Sequence, residues 1–480
     1  KRISILTNKT RNDKMIVRTV MKMENLYHES HLSDMKQLKS FVIIGGKSKE
    51  WQKDLSNQLE KEMNRILSFF EVQEFKEPKQ VRIWETQTEY QKYLEQYVPK
   101  YYDWMIMDTF DGNINVLDYE ECKKTNAHKN MTIEEYQKNI IHELVHATQQ
   151  EINPNSEGVE WFWEALVTNL ANPYDHVVQI IYSKDELMYH FNDLKFNYET
   201  AYTLGKFMLE SYPHEKILEM VKNPSILIAD TDRILTEGRN WFNQNYLLLP
   251  PTPKAENENF VIYASDSLSQ FATDTLDMLT KNQKRILDFF GVSHYRKVQV
   301  NLYDNQETFL RFLKSISPKK SSIPSYCVGT FDNFMINSSI DGSTLLEKYK
   351  SKLKSSLHEW IHIIYNDCIT DKRVLWLDEG FATNLSGDRS RLDDDEKFKE
   401  FIQNRILKIP DMPNMNDLTH GKKFVTETYN GYDLSYFVVR YLLETMSQDR
   451  IRTIIKDSQK TEELGKTILS NAIQYYVQKY

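Results

Sequence analysis

Asn139-Ile140-Ile141-His142-Glu143-Leu144-Val145-His146-Ala147-Thr148 carries apolar residues at helical spacing and two histidines four residues apart. On a helix such residues stand one turn apart on one face, with Cβ atoms about 5–6 Å from each other. Both imidazoles can then reach a single ion with Zn–N bonds of about 2.0–2.1 Å. Glu143 borders the same face. A carboxylate there can take a proton from water held by the ion without binding the ion itself. The pattern returns as His358-Glu359-Trp360-Ile361-His362.

Working outward, the second occurrence belongs to a long internal repeat. Phe41-Val42-Ile43 returns as Phe260-Val261-Ile262, and Arg65-Ile66-Leu67-Ser68-Phe69-Phe70 as Arg285-Ile286-Leu287-Asp288-Phe289-Phe290. Thr109-Phe110-Asp111 returns as Thr330-Phe331-Asp332. The offsets run from 216 to 221 residues in conserved order, too long for a solenoid unit. The reading is a duplicated domain, with copies at 41–246 and 260–480. Between them, 247–259 reads as a linker, stiffened by Pro250, Pro251 and Pro253. Residues 1–40 have no counterpart in the second copy and read as an N-terminal extension. In each copy a short strand, a long amphipathic helix, a strand, a helix and further strand-like segments precede a mainly helical remainder. That order predicts an α+β fold, a small mixed sheet followed by helices, built twice in tandem.

Two histidines do not complete a zinc site; a third protein ligand should leave a fourth position open. The candidates are Glu164, in Trp161-Phe162-Trp163-Glu164, and Glu379, in Trp376-Leu377-Asp378-Glu379. The two segments align through Trp, Glu, Thr and Asn. That alignment selects Glu164 over Glu157 and Glu160, which have no acidic partner in the second copy. Seventeen residues separate His146 from Glu164 and sixteen separate His362 from Glu379. Asp378 reads either as support for a histidine or as a solvated carboxylate, and Trp163 replaces it in the first copy. Thr168-Asn169 and Thr383-Asn384 match between the copies and read either as a hydrogen-bond partner of a motif histidine or, in preference, as helix-interior packing.

Composition narrows the classes. Hydrophobic residues are 40% and charged residues 27% of 480, which excludes a disordered chain. A net charge of -8 argues against a dedicated nucleic-acid binder, and no apolar run approaches the ~20 residues of a membrane span. Three cysteines, Cys122, Cys327 and Cys368, form neither a disulfide framework nor a metal motif. The chain begins at Lys1, and a signal removed upstream would favour a secreted or cell-surface protein.

At the two histidine motifs and their downstream glutamates the sequence resembles the gluzincin zinc metallopeptidases. Trp376-Leu377-Asp378-Glu379-Gly380-Phe381-Ala382 is similar to the glutamate helix of their aminopeptidase-like branch, although Ala165 stands in the first copy where Gly380 stands in the second. The resemblance implies zinc ligands His358, His362 and Glu379 with Glu359 as general base, and His142, His146 and Glu164 with Glu143. It implies a peptide or protein substrate, laid along Met105–Phe110 or Tyr326–Phe331 as an added edge strand; the alternative is an ordinary structural strand. It also offers Tyr202 and Tyr432, read as matching positions, as donors to a developing oxyanion. No G-x-M-E-N-type segment, which aminopeptidases use to hold an amino terminus, is present. The alternatives are a retired peptidase scaffold that binds a partner, or a secreted toxin-like effector.

Overall fold

The computed structural model describes residues 36–37, 41–46, 49–98, 101–110, 112–171, 176–316, 329–332, 335–340, 345–369, 373–419 and 424–480. Most of the expected extension 1–40, together with Tyr326–Val328 of the second edge segment, lies outside these residues. The chain is mixed α+β and divides near Phe242/Asn243 into two compact units.

In the first unit the strands are β1 (Lys36–Gln37), β2 (Phe41–Gly45), β3 (Lys79–Trp84), β4 (Met107–Phe110) and β5 (Asn113–Leu117), in spatial order β1-β2-β3-β5-β4. β2, β3 and β5 are parallel, and β1 and β4 run antiparallel at the two edges. Helix α1 (Lys49–Phe69) connects β2 to β3, and α2 (Gln87–Leu94) follows β3. Phe41, Ile43, Val81, Ile83, Ile114 and Val116 alternate onto the covered face. In the helical part, three helices position the site: α3 (Ile133–Ile152), α4 (Glu160–Leu170) and α5 (Asn197–Ser211). α3 starts at a capping box, in which Thr132 accepts from the Glu135 backbone N–H and the Glu135 carboxylate reaches back to the Thr132 N–H. That start sets the helical phase that puts His142 and His146 on one face.

The second unit repeats this order. Its strands are β6 (Ala255–Glu256), β7 (Phe260–Ala264), β8 (Val298–Tyr303), β9 (Gly329–Asp332) and β10 (Met335–Ser339), in the order β6-β7-β8-β10-β9. Helices α6 (Ser269–Phe290) and α7 (Gln306–Ile316) belong to the sheet layer. The helical part is carried by α8 (Leu345–Cys368), α9 (Leu375–Ser386) and α10 (Gly431–Thr445). The expected linker 247–259 is partly built into this unit. Leu247 is fully buried, its carbonyl accepts from Tyr303 Oη at 2.8 Å, and Ala255 and Glu256 pair antiparallel with Ile262 and Val261. Three prolines stiffen this segment, yet an apolar residue before them and a β-pairing stretch after them anchor both ends.

The hairpin register corrects one repeat match. Thr109 faces Ile114, and Ile114 is the counterpart of Ile336, but Ile336 faces Phe331. Thr330 pairs with Asn337 as Asp108 pairs with Asn115. The Thr-Phe-Asp match is offset by one.

Each repeated arginine ties its first long helix to the end of the glutamate helix. Arg65 Nη2 donates to the Leu170 carbonyl at 2.8 Å, and Arg285 Nη2 to the Leu385 carbonyl at 2.7 Å. These are among the last carbonyls of α4 and α9, which have no partner within their own helix. The glutamate helix also lies against the next long helix, α4 on α5 and α9 on α10. Asn169 and Asn384 bridge these pairs, donating to the carbonyls of Tyr202 at 2.9 Å and Tyr436 at 3.1 Å.

The bridges align α5 with α10 and explain the alanine at 165. A Cβ on Gly205 would run into the Ala165 carbonyl, and one on Gly380 would run into Val439 Cγ2 and the Ser435 carbonyl. Gly205 and Val439 are equivalent positions. Each crossing therefore needs one glycine, supplied by the packing helix in the first unit and by the glutamate helix in the second. Gly380→Ala should destabilise the chain by about 1–3 kcal/mol through overpacking. Adding Val439→Gly, which recreates the pairing of the first unit, should recover part of the loss in thermal melts.

Candidate metal centres

Among the described residues, two groups of metal-ligating side chains bring one donor atom each within 4.8 Å of one another: His142, His146 and Glu164, and His358, His362 and Glu379. These are the six residues selected from the sequence. In the first group, His142 Nε2 lies 3.4 Å from Glu164 Oε2 and His146 Nε2 lies 3.4 Å from Glu164 Oε1. In the second, His358 Nε2 and His362 Nε2 each lie 3.5 Å from Glu379 Oε2. The imidazole pairs stand edge to face, with ring centroids 4.8 Å and 4.7 Å apart.

These separations test the fit to zinc. A charge-assisted N–H···O bond is about 2.7–2.9 Å long. Two donors each about 2.0–2.1 Å from one tetrahedral ion lie about 3.3–3.4 Å apart. Both triads match the second spacing. Glu164 Oε2 is moreover buried and, apart from the long 3.4 Å approach of His142 Nε2, makes no hydrogen bond, a setting that suits a cation between the two. Two imidazoles and one carboxylate form a donor set suited to zinc, and among the described residues no fourth His, Cys, Asp or Glu joins either group.

The expected bases lie beside the triads. Glu143 is buried on α3, and the Thr109 hydroxyl on edge strand β4 lies 2.8 Å from its Oε2 and 2.9 Å from its carbonyl oxygen. The charge of Glu143 is felt at His146. Glu359 is half-buried, and burial raises its carboxyl above the ordinary range while His362 and His358 pull the other way.

Support behind the histidines differs between the units. His362 Nδ1 lies 2.7 Å from Asp378 Oδ1, whose other oxygen accepts from Arg373 Nε at 2.5 Å. Asp378 is 0% exposed, which decides between its two readings: it is not solvated but supports His362. Asp388, which the sequence did not single out, lies 2.7 Å from His358 Nδ1. In the first unit His146 Nδ1 faces Gln149 Oε1 at 3.1 Å, and the Gln149 amide donates to the Trp163 carbonyl at 3.2 Å. Thr168 and Thr383 donate to the carbonyls of Glu164 and Glu379 at 2.6 Å and 2.7 Å, the expected helix-interior role.

The tyrosine match changes register. The asparagine bridges make Tyr436 the counterpart of Tyr202, and Tyr198 therefore the counterpart of Tyr432. Tyr436 is buried and Tyr202 half-buried. Tyr432 is 43% exposed at the start of α10, with its ring edge-on to Phe424. Tyr198 is half-buried at the start of α5. Tyr198-Glu199 and Tyr432-Asp433 share a pattern that pairing Tyr202 with Tyr432 obscured. A further cluster escaped the sequence reading. Asp108, on β4, accepts from Tyr90 and Tyr93 at 2.9 Å each, and Asn115 Nδ2 donates to Tyr93 Oη at 2.9 Å. Burial, then Asp108, pushes both phenols up. In the second unit Phe309 and Phe312 take the equivalent places.

No protein-family model matches the chain, and no curated protein is found similar to it.

Without metal, each triad is an ion-pair cluster with a definite pH signature. His362 is pushed up to about 9, burial being outweighed by Asp378 and Glu379. His358 rises too, against burial, through Asp388 and Glu379, while His362 and His358 hold Glu379 below the carboxylate range despite its burial. The raised histidines stabilise fully below their unfolded value of about 6.5, and Glu379 above about 4.3. The thermal midpoint of the chelator-treated chain should therefore fall as pH rises from about 6.5 through about 9, where that stabilisation is lost. His362→Ala should flatten this slope.

Proposed function

We propose that the chain is a zinc-dependent peptidase with two reaction centres. The observation that carries this reading is a glutamate carboxylate 3.4–3.5 Å from two histidine nitrogens in each unit, with no fourth His, Cys, Asp or Glu joining either group among the described residues. A closed four-ligand set would favour a structural role; an open position favours chemistry. A bound zinc ion would polarise the scissile carbonyl and make water easier to deprotonate.

The chain's own residues have separate tasks. Glu359 and Glu143 take the proton of the attacking water and return it to the leaving amine. Thr109 holds the Glu143 carboxylate from the edge strand. β4 is the outer strand of its sheet and packs against α3, so an extended peptide pairing with it would run past Glu143. Of the two tyrosines read from the sequence, Tyr432 is offered as an oxyanion donor together with its counterpart Tyr198; half-buried Tyr202 shares its packing position with buried Tyr436. The substrate is a peptide or protein. Among the described residues no helix is long and apolar enough to cross a membrane.

Metal analysis combined with a peptide-library digest tests the reading. Glu359→Gln with Glu143→Gln should lower hydrolysis by about 10²–10⁴-fold, the usual weight of a general base, while zinc content stays unchanged. A chain that carries no zinc, and whose hydrolysis ignores both substitutions, would end the proposal.

A further inference from the structure

We propose that the two centres are unequal, the second taking up zinc first and holding it more tightly, because carboxylates stand behind both of its histidines. This rests on reading both triads as zinc sites. A histidine whose second ring nitrogen faces a carboxylate is fixed in orientation and is a stronger donor to a cation. Asp378 hydrogen-bonds His362 Nδ1 at 2.7 Å, and Asp388 Oδ2 lies 2.7 Å from His358 Nδ1 as a close charged neighbour. The first centre places the neutral amide of Gln149 at the nitrogen equivalent to that of His362. Trp163 occupies the place of Asp378, and its carbonyl fixes the Gln149 amide so that the Gln149 oxygen faces the ring. Among the described residues, Glu164 is the carboxylate within ion-pair distance of His142.

The backing carboxylates are themselves held. Arg373 Nε donates to Asp378 Oδ2, which leaves Oδ1 to His362. Gly387 ends α9 at φ +72, a left-handed conformation that turns the chain so that Asp388 meets His358. Lys354 Nζ donates to the Gly387 carbonyl at 2.8 Å, and Arg389 pairs with Asp433 at 2.5 Å, pinning this turn from both sides. Arg373 offsets one of the two added charges. Asp388 adds a carboxylate beside His358, and Asp378 a carboxylate beside His362 where the first centre has the Gln149 amide.

The experiment is a zinc titration of the full chain, stripped with chelator, in competition with a chromophoric zinc chelator. His142→Ala/His146→Ala should leave the tight class and His358→Ala/His362→Ala the weak one, separated by about 10–100-fold, the usual effect of such supporting partners. Asp388→Asn, at a half-exposed position that does not endanger the fold, should weaken the tight class about 10-fold and leave the weak class unmoved. Asp378→Asn is the second arm, read with its circular dichroism because Asp378 is fully buried. Equal classes, the reverse order, or a tight class untouched by Asp388→Asn each overturn the inequality. Failure of both paired variants to bind zinc would instead overturn the peptidase reading beneath it.

Discussion

Each unit is organised around one buried carboxylate between two imidazoles. Removing a carboxylate from water is costly unless opposite charge or a cation compensates it. Glu164 and Glu379 meet that requirement only when the glutamate helix lies close enough to the histidine helix for both rings to face one side chain. The repeated arginine, the asparagine bridge and the single glycine at the next crossing all serve this approach. They fix the approach of α4 and α9, and with it the position of one carboxylate.

The two His-His-Glu groups were legible because their geometry is local. Two histidines one turn apart specify a face, and the repeated tryptophan fixes which downstream acid belongs with them. The α+β order was legible too, since strand and helix periods differ and the whole series occurs twice. What could not be read depends on contacts across long separations. Arg65 and Arg285 stood out as repeated residues, but their targets, the Leu170 and Leu385 carbonyls, lie 105 and 100 residues away. The tyrosine match slipped by one helical turn because the segments before α5 and α10 differ in length, and only the asparagine bridges restore the register. Asp378 was ambiguous for a similar reason: a carboxylate beside a ligand is solvated or buried according to whether Arg373 and His362 close over it.

The two units share their ligands and differ in what surrounds them. The first carries a hydroxyl–carboxylate–amide cluster of Tyr90, Tyr93, Asp108 and Asn115 beneath its edge strand, where the second has Phe309 and Phe312. The second has charged partners behind its imidazoles, where the first has an amide. The same His-His-Glu group thus sits in two polar settings, the ordinary outcome when the surroundings of a duplicated scaffold drift while its central geometry is held.

The exchanged glycine bears on how the halves can evolve. Alanine at 165 is tolerated only opposite Gly205, and valine at 439 only opposite Gly380. Copying one glutamate helix over the other would bring alanine against valine in one half, or leave two glycines and a void in the other. Gene conversion between the repeats is penalised at this crossing. The duplicated segments, alike in purpose, are bound to diverge as separate lineages within a single polypeptide.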